Sequence, residues 1–452
     1  MSTEGDDLEV SLLVGNSKCE DGGTGTPGSL RNFYFMSIMF SICHGCVTSC
    51  LSYSSAELGA DLGGYGSGTL YIVYAFVALF FSAEIVGVTG PKNGLIIGLW
   101  GYCVYVLGFL IALISNSHPF LSWTVFLVSS VIGGFSGGLL WTAQGDYFAR
   151  ESSEYAKQTG LTKAEANAKL AGVFATAYLG MEVLTKCCST GLFLTLPPKD
   201  VTTIVFTVYT VFAVASSFGI LYISNLGVEG SFNILNAGMN IAKLTSAKQL
   251  LSGDDNRILY LLPIQVSFGL STSLLIYYVF GTIIYGSDDL GETYVGFLAA
   301  LIVVVGTAMA IPSSALTNKV GKAPMMILGS VCFSLIGFTL LFATNTQLGT
   351  WGCIVPYVIL QGVGRGVWEN TNKATVADIF GDDSDKVSGA FALISFSNGV
   401  ATAIGFFTFT TLSRNVMAII CGVFGIIGML SYCYLIFVVV PNRGAYEQVS
   451  DL

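Results

Sequence analysis

The sequence predicts an all-α membrane protein of twelve transmembrane helices, arranged as two pseudo-symmetric six-helix bundles. Three observations predict it: an apolar composition, a one-sided distribution of basic residues, and a pair of segments that recurs in each half. Hydrophobic residues make up 53% of the 452-residue chain and charged residues only 10%, against about 25% charged in a soluble domain. Mean hydropathy is +0.71. The length alone would suggest roughly three soluble domains. The chain has too little polar surface to cover them, so the lipid bilayer is its solvent and the relevant count is of apolar segments of ~20 residues.

Such segments fall at 32–53, 67–88, 94–115, 120–144, 168–195, 201–223, 258–284, 292–312, 323–343, 350–370, 387–411 and 414–440. The pairs 168–195/201–223 and 387–411/414–440 are separated by little, which leaves a count of eleven open. The polar stretch 224–257 is the longest internal break. It divides the chain into a disordered cytoplasmic tail (1–30), an N-terminal six-helix bundle (31–223), a cytoplasmic central loop (224–257), a C-terminal six-helix bundle (258–440) and a second cytoplasmic tail (441–452).

Charge sets the orientation. With both termini cytoplasmic, all but four of the 19 Lys and Arg residues fall on the inner side. Lys199 and Arg414 are the outer exceptions, and Lys186 and Arg365 lie within spans. The opposite topology would reverse the positive-inside bias. In the inner loop before the fifth span, Thr162-Lys-Ala-Glu165 forms a capping box, so that helix is expected to start in the cytoplasm. Small-x-x-x-small spacing at Gly133/Gly137 and Gly134/Gly138 lets helix backbones approach closely in lipid.

The first thirty residues are polar and acidic, without the cationic start and apolar core of a cleavable signal peptide. The net charge of −9 comes with no basic cluster, which argues against nucleic acid as a partner. The 11 cysteines sit mostly in apolar spans (Cys43, Cys46, Cys50, Cys103, Cys332, Cys421), as packing residues do. Only 2 His are available for a metal set, and neither a phosphate loop nor a nucleophile elbow is present. The expectation is a protein without a cofactor or metal that is not an enzyme, in which any transport is facilitated or ion-coupled.

The recurring segments come in two kinds. Gly90-Pro-Lys-Asn-Gly-Leu-Ile-Ile-Gly98 follows span two, and Gly321-Lys-Ala-Pro-Met-Met-Ile-Leu-Gly329 follows span eight. Gly137-Gly-Leu-Leu-Trp141-Thr-Ala-Gln144 in span four is similar to Gly364-Arg-Gly-Val-Trp368-Glu-Asn-Thr371 in span ten. At nearly one offset, they indicate the duplicated unit of major facilitator proteins. Tyr71-Ile-Val-Tyr74, Gly90-Pro-Lys92, Ile96-Ile-Gly-Leu-Trp-Gly-Tyr102-Cys-Val-Tyr105 and Leu140-Trp-Thr-Ala-Gln-Gly145-Asp-Tyr147, with Leu262-Pro-Ile264 and Gly269-Leu-Ser271, resemble the Unc-ninety-three-like family of that superfamily. The resemblance is densest over 31–195. It implies the major facilitator fold and a group whose known members regulate ion channels or escort receptors. It brings no universal catalytic residues.

Ionisable residues within spans are costly, so each is a functional candidate. Glu182 and Lys186 are four apart on the fifth helix, Glu first, the order that favours an ion pair. The pair is either self-contained bundle packing or a gate facing a central cavity. Arg365 and Glu369 repeat the spacing on the tenth helix in reverse order. A buried arginine is a natural partner for an anionic ligand group, while Glu369 can also be satisfied by interfacial water. His44, near the middle of the first span, is either a packing histidine or a proton-coupling one. Trp141, Gln144 and Asp146, with Asn370 and Asn372 on helix ten, read either as an aromatic belt with a cytoplasmic cap or as an inner gate. In the tail, Tyr446-Glu-Gln-Val449 fits a tyrosine-x-x-bulky sorting signal, and Glu9-Val-Ser-Leu12-Leu13 an imperfect dileucine one. They point to the plasma membrane or an endosomal or lysosomal membrane. Two function classes follow: a transporter of a small solute or ion that works by alternating access, or a non-transporting regulator or trafficking partner of a membrane channel or receptor.

Overall fold

The computed structural model describes residues 28–197, 200–225, 237–252, 256–380 and 384–441. These form α1 (Gly28–Glu57), α2 (Ala60–Phe80), α3 (Ser82–Thr89), α4 (Pro91–Ile114), α5 (Pro119–Thr159), α6 (Lys163–Thr195), α7 (Val201–Gly219) and α8 (Ala237–Ser252). After them come α9 (Leu262–Leu274), α10 (Val295–Ala308), α11 (Ala310–Val320), α12 (Ala323–Phe342), α13 (Asn345–Leu348), α14 (Trp351–Val367), α15 (Lys373–Phe380), α16 (Ser384–Phe409) and α17 (Arg414–Tyr434). Wider π-helical turns extend α9 over Leu275–Ile284, α14 over Trp368–Asn372 and α17 over Leu435–Val439. Among the described residues, nine helical stretches are long and apolar enough to cross a membrane, and Glu292–Ala308 is a shorter apolar one. The protein is an integral membrane protein.

Several boundaries differ from the sequence reading for identifiable reasons. The second span begins at Ala60, not 67, because Gly63, Gly64, Gly66 and Gly68 are contact points rather than helix breakers. A Cβ at Gly63 would lie 2.3 Å from the Ser54 carbonyl oxygen, and one at Gly66 2.0 Å from the Phe126 ring. Spans two and eight are each interrupted, at Phe81 and at Met309. The fourth helix runs fifteen residues past 144, to Thr159, so Arg150 and Lys157 lie on a helix and not in a loop. The central stretch 224–257 is likewise not all loop, since it contains α8. The chain separates the two closely spaced pairs into distinct helices, α6 and α7, and α16 and α17. The tails with Tyr446 and Val449, and with Leu12 and Leu13, lie outside the described residues.

The two matched loops fold alike. Gly90 ends α3 with φ +78° and Gly321 ends α11 with φ +82°, a region that favours glycine. Each is followed by a proline in the first turn of the next helix, Pro91 or Pro324, where a missing N–H costs nothing. The lysine of each loop donates to a distant backbone carbonyl, Lys92 Nζ to Ile223 O (2.6 Å) and Lys322 Nζ to Ala374 O (2.9 Å). The capping box is also present. Glu165 N–H donates to Thr162 Oγ1 and the Glu165 carboxylate accepts from Thr162 N.

Close packing explains the glycine pairs. Gly133 faces Tyr105 of α4, Gly137 sits between Tyr102 of α4 and Tyr74 of α2, and Gly134 and Gly138 face the α2 backbone, at the Leu70 carbonyl and Ala78 N–H. Four consecutive-turn glycines thus serve two different neighbours. Between the chain's first and second parts, α2 packs on α16, α6 on α10, and α1 on the π-helical end of α9. The large apolar side chains left exposed, such as Phe120, Phe342 and Leu430, form the surface that acyl chains cover.

Candidate functional site

The site is built on α6, a helix with its amphipathicity turned inside out. Its buried residues through the apolar region are Glu182, Thr185, Lys186, Ser189, Thr190 and Phe193. They repeat at three and four residues and therefore share one face. Apolar residues such as Leu184 point outward. In lipid that arrangement is the favourable one, because the polar stripe finds partners only inside the bundle. The same stripe keeps α6 out of the group of uniformly apolar spans.

Glu182 is the centre of a four-member charge network. Lys186 Nζ lies 3.0 Å from Glu182 Oε1 on the same helix. The Arg365 guanidinium reaches across from α14 and donates to both Glu182 oxygens, Nη1 to Oε1 at 3.4 Å and Nη2 to Oε2 at 3.2 Å. Arg365 Nε also donates to Glu369 Oε1 at 2.8 Å. Lys186 further donates to Thr48 Oγ1 of α1, at 2.9 Å. The Glu182 and Lys186 side chains are 4% and 5% exposed, Arg365 19% and Glu369 33%. Two anions and two cations leave the network neutral, which makes burial of so much charge sustainable. The i, i+4 pairs expected from the sequence both form, and a residue pair 183 positions apart joins them.

His44 is placed separately, in a box of rings. Phe40, Tyr102, Trp141 and Tyr178 lie 5.2–5.9 Å from it, centroid to centroid. Its Nε2 is hydrogen-bonded with Tyr178 Oη at 3.2 Å, while Nδ1 is buried without a partner among the described residues. Trp141 forms one wall of the box, and Gln144 is buried on the next turn of α5. Asp146 pairs with Arg150 at 3.0 Å on the same helix, and Asn370 bonds back to the Gly366 carbonyl. Neither joins the charge network.

Two features went unnoticed in the sequence. Gln265 of α9 is fully buried and accepts from Trp368 Nε1 at 2.7 Å. It also exchanges amide hydrogen bonds with Asn372, at 3.0 and 3.3 Å. A lone glutamine in the apolar run after Pro263 was the available signal. The second feature is a clasp at the opposite end of the bundle. Tyr53 Oη of α1 donates to Ser189 Oγ (3.1 Å) and accepts from Gly296 N–H of α10 (2.9 Å). Thr190 Oγ1 donates to Thr293 O (2.9 Å) and accepts from Phe297 N–H (3.0 Å).

On the other side of the network from this clasp lies a cavity of about 780 Å³. α6 contributes residues between Ala175 and Leu184, and α10 and α11 contribute residues between Val303 and Ala310. Arg365, Glu369 and Asn370 supply its charged and amide groups. His44, Trp141, Gln144, Glu182 and Lys186 do not line it. The sequence-derived candidates therefore divide into a cavity group (Arg365, Glu369), a buried group behind it (Glu182, Lys186) and an aromatic group on α1 and α5 (His44, Trp141, Gln144).

Residues 55–437 match the family described as "Ion channel regulatory protein UNC-93". The chain belongs to the UNC-93 family. Among curated relatives, "UNC93-like protein 3" of Arabidopsis thaliana is 22% identical over 408 residues, covering 86% of this chain and 82% of the relative. "Protein unc-93 homolog A" of Bos taurus is 26% identical over 150 residues, 32% of this chain and 30% of that protein. The solved nucleoside transporter NupG superposes with a TM-score of 0.62 at 11% identity, covering 91% of this chain and 99% of that one. The xylose transporter XylE from E. coli, in an inward open conformation, gives 0.62 at 13% identity, with 90% and 94% covered. At such identities the likeness is of fold, so this UNC-93 protein has the fold of major facilitator transporters. Family and fold are both of regulator or transporter type.

Proposed function

We propose that this protein is a transporter of a small solute or ion that works by alternating access, without being an enzyme. Twelve spanning helices would act as two six-helix halves, 31–223 and 258–440, with both termini in the cytoplasm. The three helical stretches beyond the nine uniformly apolar ones are α6, Glu292–Ala308 and α14 with its π turn. The first carries Glu182 and Lys186, the second is short, and the third carries Arg365 and Glu369. One observation carries the reading: a neutral ion network joins α6 to α14, with hydrogen-bonded closure on one side and an open cavity on the other. Rocking of the halves would exchange the two sides while the network breaks and reforms.

Transport is tested by reconstituting the purified chain in liposomes and measuring solute flux. Flux that Glu182→Gln or Arg365→Ala abolishes supports the reading. No flux of any candidate solute, with both variants silent in cells, overturns it.

The family's description as an ion channel regulatory protein favours a second reading, a regulator or trafficking partner of an ion channel or receptor. Under it the closed clasp and the charge network hold a rigid scaffold. Affinity purification that returns a stoichiometric membrane partner would support it, and recovery of none would count against it. Sorting through Tyr446 and Val449 to an endosomal or lysosomal membrane, as against the plasma membrane, is read from the location of a tagged chain with and without Tyr446→Ala.

A further inference from the structure

The cavity beside the charge network differs from a water-filled substrate chamber in its walls and its opening. Apart from Arg365, Glu369 and Asn370, only Thr176 and Thr307 bring side-chain polar atoms to it. Leu184 and Val304, which also line it, are 61% and 46% exposed on the flanks of α6 and α10. In a membrane such flanks face acyl chains, so the groove between α6 and α10 opens sideways into the bilayer. Its volume of about 780 Å³ is within the range of about 300–1,000 Å³ typical of clefts that enclose a ligand.

The polar end of the groove offers both signs of charge. Arg365 has five N–H donors, of which Nε, one on Nη1 and one on Nη2 are engaged with Glu369 and Glu182. Two donors remain. Glu369 uses Oε1 for Arg365, and among the described residues its Oε2 accepts no hydrogen bond. With the network neutral, a purely anionic head on Arg365 would leave the adjacent Glu369 carboxylate uncompensated, and a purely cationic head on Glu369 would face Arg365. A head carrying both charges meets donor with anion and carboxylate with cation.

We infer that the groove between α6 and α10 binds a zwitterionic phospholipid of the surrounding bilayer. The phosphate sits on Arg365, the ammonium on Glu369, and the acyl chain lies along Leu184 and Val304. As a substrate site it rests on the transport reading above; as a binding site it stands on the geometry alone.

The test uses the full chain in nanodiscs doped with a photoactivatable phosphatidylcholine or with the matching phosphatidylglycerol. Labelled peptides are then identified by mass spectrometry. Phosphatidylcholine is expected to label residues 175–184 and 303–310 about tenfold more than phosphatidylglycerol does, a difference of about 1.4 kcal/mol. A Cβ at Gly180 meets nothing within 4 Å, and Gly180 lines the groove. Gly180→Leu should therefore fill the groove without disturbing the fold and reduce that labelling about tenfold. Gly172→Leu on the same helix, equally unobstructed and outside the groove, should leave it unchanged. Glu369→Gln leaves the remaining network positive and should reverse the lipid preference. Labelling of α6 and α10 no stronger than that of other lipid-facing helices would overturn the inference. So would equal labelling by the two lipids, or labelling that ignores Gly180→Leu. Expected labelling in a protein that moves nothing across liposomes would defeat the transport reading and leave the binding site standing. Flux of a water-soluble solute with no groove labelling would do the reverse.

Discussion

Replacing Glu182 with Gln removes the one carboxylate that serves both Lys186 at 3.0 Å and Arg365 at 3.2 Å. The amide fills the same volume, so little cavity is created and the change is one of charge. Two cations are then left with only Glu369 to balance them, and Lys186, 5% exposed, has no other ion-pair partner among the described residues. Breaking a buried pair from one side costs about 3–5 kcal/mol. Unfolding entropy of about 2.1 cal/mol/K per residue over 452 residues comes to about 1 kcal/mol per degree. The expected loss is about 3–5 °C in Tm, read by intrinsic fluorescence of the detergent-solubilised protein. The diagnostic is the second substitution. Lys186→Met in the Glu182→Gln background restores neutrality, because Arg365 keeps Glu369, and it should recover at least half of the loss. Non-additivity of that kind reports direct coupling. A Tm for Glu182→Gln within about 1 °C of wild type would refute the reasoning, as would a double variant less stable than the single one.

Other consequences are as direct. Tyr53→Phe leaves the buried Gly296 N–H without its acceptor, worth about 1–3 kcal/mol, and should shift the clasp toward its open form by about 5- to 150-fold; labelling of a probe placed beside Ser189 would report it. Gln265→Leu strands the Trp368 indole N–H and the Asn372 amide, so a fall in Tm of a few degrees is expected from about 1–3 kcal/mol for each. Gly134→Ala would put a Cβ 2.4 Å from the Leu70 carbonyl oxygen, whereas one at Gly145 meets nothing within 4 Å. The first should sharply reduce the monodisperse fraction in size-exclusion chromatography, and Gly145→Ala should match wild type.

Much of this architecture was legible in the chain because lipid imposes simple rules. Apolar length marked the spans. The glycines at Gly90 and Gly321 marked matching helix ends, and Thr162 with Glu165 marked where α6 begins. Within one helix, spacing was enough: Glu182 with Lys186 and Arg365 with Glu369 pair as their four-residue intervals indicate. Spacing says which face a residue occupies but not which helix that face meets. Hence the Glu182–Arg365 contact, the Gln265–Asn372 amide pair and the Tyr53 clasp emerged only from the folded chain. Hydropathy averages also misplaced the start of α2, where glycines lower the apolar score although they are the residues that permit close packing. The division of the charged and aromatic candidates was hidden for the same reason. His44 and Arg365 were both candidates as ionisable residues within spans, yet of the two only Arg365 reaches the cavity.

Rocking of the two halves about the Glu182–Arg365 network is the motion we propose. Its most direct measurement is a distance distribution between two spin labels at the clasp end, one at Asp61 at the start of α2 and one at Asp289 beside the turn before α10. Labels are introduced as unnatural amino acids because the chain has 11 cysteines. In nanodiscs two distance populations are expected, with Tyr53→Phe enriching the longer one. A single short distance, unchanged by Tyr53→Phe and by Glu182→Gln, would contradict it.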